Sequence, residues 1–371
     1  MPAGPAQASK PLCLLADGLA GLSEPVDTPA VLIDQGRVKA LGRAALESGA
    51  RRQALPGLWL SPAPLDAHVH LHLGGTLADN LERSLAAGLA AVRDLGQRPG
   101  LPIPRGNGHG PPWVVASGPG LGGVGPGRNW LAEGLAGPDQ FSQAAWARAR
   151  ELAGVVKVFA TGLLDFDNPG QVLHDEAVGA GELAAAVGAA EEAGLYVAAH
   201  ASGRRAVMRC LEAGVRSIEH GFFLERPHLR EMALRRASWV PTVAAVAAHA
   251  EDPEGRHTPE ERSRLRQIAQ GQMQAIKLAE ALNVDLVLGT DAGSYGLEHG
   301  EAVYREMTLW LEAGVKPATV YAAATHRAAR LLGLSGELGS LALGGRAWLL
   351  GVPGDPMADP LLLGQARWRS F

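Results

Sequence analysis

Cysteine is almost missing from this chain. Cys13 and Cys210 are the only two in 371 residues. A disulfide framework is excluded, and a reducing cytoplasm is the expected compartment. No apolar run approaches the length that spans a bilayer, so no membrane partner is expected. The first residues make a poor secretion signal, with one early Lys10 and an apolar stretch broken by Asp17. Basic excess is lacking too. A net charge of −4 and a pI near 6.3 give no ground for nucleic acid as a partner. There is no long polar tract, and 47% hydrophobic with 19% charged residues describes a globular chain rather than a disordered one.

What is present is an alternation. From residue 58 onward, apolar runs recur at Leu60–His70, Ala90–Asp94, Trp113–Ser117, Val155–Ala160, Tyr196–His200, Ser217–His220, Trp239–Thr242 and Leu286–Asp291. Between most of them lie segments of helical spacing such as Gly181–Ala193 and Pro259–Leu282. Eight strands alternating with helices predict an α/β fold, a (β/α)8 TIM barrel, over residues 58–334. A doubly wound sheet is the alternative, but no Gly-x-Gly-x-x-Gly follows an early strand to support it. The glycine-rich stretch Gly118–Gly127 reads as a flexible loop at the barrel top. Residues 1–57 and 335–371 carry short β runs instead, and residues 1–10 are expected to fray. Pro29–Asp34 and Arg37–Gly42 around Gln35-Gly36 read as a hairpin, and Arg346–Gly351 as a strand. The two ends are expected to pair into a small β-sandwich domain beside the barrel.

In such barrels the working residues stand at the C-terminal ends of strands. The polar residues there are His68, His70, Lys157, His200, His220 and Asp291. His68 and His70, two apart in a strand, point the same way. Neutral imidazoles side by side make half of a metal site. Lys157, between Val156 and Val158, must be desolvated, which is costly unless it is paired or neutral.

The runs Leu65-Asp66-Ala67-His68-Val69-His70, Val92-Arg93-Asp94, Val156-Lys157-Val158-Phe159-Ala160-Thr161-Gly162, Ala198-Ala199-His200, Ile218-Glu219-His220-Gly221 and Gly289-Thr290-Asp291-Ala292-Gly293 resemble the amidohydrolase superfamily. Within it they look like the branch of prolidase-like and imidazolonepropionase-related enzymes, as do Glu312-Ala313-Gly314-Val315 and Ala322-Ala323-Ala324-Thr325. The resemblance implies two divalent metal ions, usually zinc. His68, His70 and Asp291 would hold the first ion and His200 and His220 the second. Lys157, carbamylated by carbon dioxide, would bridge them, and Asp291 would also shuttle the proton. The implied activity is hydrolysis of an amide or peptide bond in a small molecule, a dipeptide or N-acyl amino acid. Arg128 and His299 are the candidate cations for a substrate carboxylate. Whether the chain forms a homo-oligomer is not written in the sequence.

Two departures stand out. The loop Gly122–Trp130 lacks the histidine often found there in the family, and Ala347-Trp348 replaces the usual Ala-Asp. The rival readings are a one-metal deaminase or imidazolone-type cyclic amide hydrolase, and a barrel that has lost catalysis and serves as a scaffold. The deaminase reading expects a glutamate three residues after His200, where Gly203 stands, and it leaves Lys157 without a purpose.

Overall fold

The computed structural model describes residues 10–22, 24–105, 110–125, 128–165, 168 and 171–371. Chain entry is a set of short strands: β1 (Leu12–Leu15), β2 (Gly18–Leu19), β3 (Ala30–Asp34), β4 (Arg37–Leu41), β5 (Arg51–Ala54) and β6 (Trp59–Pro62). The expected hairpin forms between β3 and β4. Its turn residues Gln35 and Gly36 have φ of 50° and 70°, the left-handed pair that suits the twist of a tight hairpin.

Ten strands follow: β7 (Leu65–Val69), β8 (Ala91–Asp94), β9 (Trp113–Ala116), β10 (Gly120–Gly123), β11 (Ala132–Leu135), β12 (Val156–Phe159), β13 (Val197–Ala201), β14 (Ser217–His220), β15 (Ser238–Val240) and β16 (Asp285–Leu286). They pair in parallel as a seven-stranded sheet, β11-β10-β12-β13-β14-β15-β16, and a three-stranded sheet, β7-β8-β9. Helices alternate with them, among them Ala180–Glu192 and Pro259–Ala281. The arrangement is consistent with a (β/α)8-like barrel. Past β16 the chain runs on beside β7. Leu288 O accepts from Ala67 N, His68 O accepts from Thr290 N and Asp291 N, and Ala292 O accepts from His70 N. These bonds bring the last sequence motif alongside the first.

The chain then returns through β17 (Leu349–Val352) and β18 (Trp368–Arg369), which join β6 and β2 in the order β18-β17-β6-β2. The other terminal sheet is β4-β3-β1-β5. Leu14 and Val31 of that sheet share one apolar cluster with Leu60 and Leu349 of this one, and Leu341 joins them. Cys13 and Cys210 are free and buried. Among the described residues no helix is long and apolar enough to cross a membrane.

Two expectations need correction. Leu60–His70 is not one strand. Ala63 N donates to Trp348 O, toward the terminal sheet, while Pro64 O accepts from Ala90 N in the parallel sheet. Pro64, with no N–H, sits at the switch. The stretch Gly118–Gly127 is not simply a loop, because Gly120–Gly123 is strand β10. A Cβ at Gly120 would stand 2.4 Å from the Phe159 ring, and one at Gly123 would stand 2.2 Å from Ala177 O. Glycine is required by that close packing, and the lack of side chains hides the strand from a periodicity reading. Pro126 and Gly127 lie outside the described residues, as does the stretch 1–9 expected to fray.

Gly289 marks where the last parallel segment presses on β7. A Cβ there would meet Val240 Cγ1 at 2.5 Å and His68 N at 2.8 Å. Gly289→Ala should therefore destabilise by about 1–3 kcal/mol through overpacking. Gly188→Ala, in a helix with nothing within 4 Å of the new methyl, should stabilise by about 0.5–1 kcal/mol. Chemical denaturation of both variants checks the contrast. Equal stability would show that the β7 contact is slack.

Candidate metal centre

The centre is assembled from strand ends, except for Lys157, which was expected at a strand end but is the second of the four residues of β12 and reaches the cluster from within the strand. His68 is fully buried on β7, and His70 follows that strand's last residue. His68 Nδ1 lies 2.9 Å from Glu219 Oε2, and His70 Nδ1 lies 3.0 Å from Gly96 O. A carboxylate and a carbonyl can only accept, so each Nδ1 carries a proton, and in the neutral ring each Nε2 is then a bare lone pair. Against the effect of burial, Asp291 pulls the pKa of His70 upward. Both Nε2 atoms face Asp291 Oδ1, at 3.5 Å from His68 and 3.1 Å from His70. His68 Nε2 and Asp291 Oδ1 have no hydrogen-bond partner. Three metal-ligating atoms thus converge within 4.8 Å, and all three are acceptors when the imidazoles are neutral. A cation is what such a set fits.

Asp291 is aimed by the backbone. Its φ is 64°, a left-handed conformation that a non-glycine residue adopts only when its surroundings fix it. Here Asp66 does the fixing. Its Oδ1 accepts from His68 N and Thr290 N, and its Oδ2 accepts from Thr290 Oγ1 at 2.6 Å. Burial works against the charged form of Asp291, but the close approach of His70 and the neighbouring imidazoles outweighs it and holds the carboxyl well below its ordinary range.

A second group lies against the first. His200 on β13 donates from Nε2 to Gly162 O at 3.1 Å, which leaves its Nδ1 bare. His220 ends β14 with φ of 65°, and its Nδ1 is 2.7 Å from Thr242 Oγ1. The His200 and His220 ring centres are 4.5 Å apart, and His220 is 4.9 Å from His68. Burial lowers the pKa of His68 to about 4 and of His200 to about 3, and that of His220 well below its ordinary value. These three imidazoles are neutral near pH 7, the form that binds a metal. Lys157 on β12 is 1% exposed, and its Nζ has no hydrogen-bond partner. Burial lowers it to about 8, and its charge bears on His68, His200 and His220 alike.

The other two candidates stand differently. His299 is 2% exposed and gives its Nε2 hydrogen to Leu73 O. Burial lowers it to about 4, so it is neutral and is no cation for a carboxylate. Arg128 is exposed in the connection between β10 and β11, beside Gly134. Among the described residues it makes no ion pair with the cluster.

The residues passed over in the sequence are those behind the ligands. Arg93, fully buried, donates from Nη2 to Glu219 Oε1 at 2.8 Å, from Nε to Ala67 O and from Nη1 to Ser217 Oγ. Burial opposes ionisation of Glu219, but the Arg93 charge and the His68 bond win and bring its carboxyl down to about 2. The signal was there in Arg93 and Glu219, charged residues inside apolar strand runs, a placement that demands a partner. With His68 orientation resting on this carboxylate, Glu219→Gln should weaken the affinity of the candidate centre for an added divalent ion by about 10–100-fold. Chelator competition on the folded variant checks it. Unchanged affinity would show that Glu219 serves packing alone.

Comparison with known proteins agrees with this architecture. Solved structures share the fold, among them a Xaa-Pro dipeptidase with methionine bound in its active site, 22% identical over 95% of this chain and 96% of that one, TM-score 0.79. Others are a prolidase complexed with N-methylphosphonate-L-proline, 22% identical over 95% of each chain, TM-score 0.79, and the A. niger ochratoxinase, 20% identical over 97% and 94%, TM-score 0.78. No curated protein matches the sequence. The family profile described as "Amidohydrolase family" matches residues 122–368, two thirds of the chain, and the chain belongs to that family.

Proposed function

We propose that this protein hydrolyses an amide or peptide bond in a small molecule, a dipeptide or N-acyl amino acid, at a centre of two divalent ions, with zinc the expected metal. The observation that carries the reading is the convergence of His68 Nε2, His70 Nε2 and Asp291 Oδ1, with His68 Nε2 and Asp291 Oδ1 buried and without a hydrogen-bond partner. His68, His70 and Asp291 would hold one ion, and His200 and His220 the other. Lys157 would stand between them as a carbamate. Its buried amine, poised near neutrality, adds through Nζ to the carbon of carbon dioxide. The N–C bond forms, one proton leaves to solvent, and the resulting carbamate carries one negative charge shared by its two oxygens. Divalent ions in this place supply Lewis acidity, which acidifies a water and polarises a carbonyl.

The chain's own groups do the rest. Asp291 accepts the proton of the attacking water on its carboxylate and returns it to the departing nitrogen. Glu219 and Gly96 hold the two histidine rings so that each Nε2 faces inward. Thr242 steadies His220. The fold shared with a Xaa-Pro dipeptidase favours a dipeptide among the substrate classes. Lys157, buried without a hydrogen-bond partner, favours two ions over one. In this reading residues 58–334 form the closed catalytic barrel, and residues 1–57 with 335–371 form the β-sandwich beside it. A cytoplasmic setting fits the two free cysteines.

The test is elemental analysis of protein expressed with zinc and bicarbonate, followed by a screen of dipeptides and N-acyl amino acids. Two ions per chain are expected, with Lys157→Ala retaining one or none. A single ion in the wild type would overturn the two-metal centre. Asp291→Asn molecules that keep their metal should turn over about 10²–10⁴-fold more slowly, the usual worth of a general acid–base group, with a smaller change in substrate binding. Near wild-type turnover in metal-replete Asp291→Asn would assign the proton to another residue.

A further inference from the structure

The opposite end of the barrel carries a site of another kind. Residue Arg216 immediately precedes β14, Arg236 stands just before β15, and Asp285 opens β16. These strand beginnings border a cleft of about 920 Å³. Its lining has six cations, Arg216, Arg235, Arg236, Lys316, Arg327 and Arg330, against two carboxylates, Glu280 and Asp285. The whole chain is net negative, so this concentration of positive charge is local.

Both carboxylates are already committed. Glu280 accepts from Lys277 Nζ at 2.7 Å and from Lys316 N at 3.0 Å. Asp285 pairs with Arg330 and accepts from Ser238 Oγ at 2.7 Å. Arg235 is taken by Glu231. The side chains of Arg216, Arg236, Lys316 and Arg327 have no carboxylate within 4.0 Å among the described residues. Arg327 is only partly exposed. Burial and repulsion from Arg330 pull its pKa down in spite of Asp285. Like charges held together in a half-enclosed cleft repel one another and focus a positive potential that a multivalent anion would relieve.

We propose that this cleft binds a small anion with two or more linked phosphates. Several charges are needed to answer four uncommitted cations. Guanidinium forks match phosphate oxygens in geometry as well as charge. A concave cleft of this volume suits a small molecule rather than the face of another protein. The site lies at the strand beginnings, whereas His68, His70, His200, His220 and Asp291 stand near or beyond the strand ends, and none of the candidate metal ligands lines it, so it is a second site, independent of the proposed hydrolysis.

Titration calorimetry on the metal-loaded full chain tests this, using inorganic pyrophosphate, ADP and orthophosphate at one ionic strength. Pyrophosphate or ADP should bind saturably at one per chain, about tenfold or more tighter than orthophosphate. Tighter binding of ADP than of pyrophosphate would assign a nucleotide, and the reverse a free polyphosphate. Arg236→Ala and Arg327→Gln should each weaken binding about tenfold, the worth of one charge-assisted hydrogen bond. Arg216→Ala, at an exposed position, repeats the test should Arg327→Gln fold poorly. Chelation of metal by pyrophosphate gives the same heat in wild type and variants, so their difference reads the cleft. Absence of saturable binding up to about 1 mM, or binding untouched by all three substitutions, overturns the proposal. So does binding confined to a DNA duplex, which would assign the surface to nucleic acid.

Discussion

The Glu219 carboxylate, held between Arg93 and His68 in the barrel interior, is the constraint on which the candidate centre depends. An ion pair so deep is costly to desolvate and is weak evidence of stability in itself. Its cost is offset only if both groups are fully bonded. They are: Arg93 spends its guanidinium on Ala67 O, Ser217 Oγ and Glu219, and Glu219 spends its second oxygen on His68. What the arrangement secures is a protonation state. With Glu219 anionic, His68 must carry its hydrogen on Nδ1, and its other nitrogen is left to face Asp291. The pair also ties three strands together, because Arg93 lies on β8, His68 on β7 and Glu219 on β14.

A second constraint is backbone conformation. His220, Thr242 and Asp291 all have positive φ, at 65°, 51° and 64°. Each stands where a strand gives way to a loop on the same end of the barrel. Such conformations cost of order 1–3 kcal/mol each and persist only where the surroundings over-determine them. Here the surroundings are specific. Gly221 N donates to Ala201 O behind His220, Asp66 clamps Thr290 before Asp291, and Glu306 accepts from Val243 N and Ala244 N after Thr242. The strain turns side chains that would continue along a strand into the centre of the ring.

The legible part of this protein was its strand ends. A polar residue closing or interrupting an apolar run is conspicuous, so His70, His200, His220 and Asp291 stand out at the ends of their runs and His68 and Lys157 inside theirs. The alternation of strands and helices was equally plain, because strands such as β12 and β13 are buried on both faces and read as largely apolar runs. The illegible parts have physical reasons. β10 has no periodicity because close packing requires glycine on it. The split of Leu60–His70 turns on one missing N–H at Pro64. His299 looks like a loop histidine in sequence, yet tertiary packing buries it and takes its proton donor. Glu219 sat inside a motif that was read for its histidine and Arg93 in one to which no role was given, and nothing in a linear chain says that residues 126 apart will meet at 2.8 Å.

The two ends of the barrel follow opposite electrostatic rules, and one strand shows why they can coexist. β14 runs only from Ser217 to His220, about four residues of extended chain or roughly 13 Å. Arg216 before it is exposed to water, where a guanidinium keeps its hydration. Ser217 and Glu219 inside it are bonded to Arg93, and Ser217 Oγ also donates to Glu219 Oε1 at 2.6 Å. His220 at its far end is neutral because burial has removed its charge. Positive charge is thus solvated at the base, paired in the middle and suppressed at the top. That gradient keeps the acceptor cluster free of competing ammonium and guanidinium groups, with one exception. Lys157 is the only lysine or arginine in the cluster itself, and its amine is the group whose charge burial has brought closest to being lost at neutral pH.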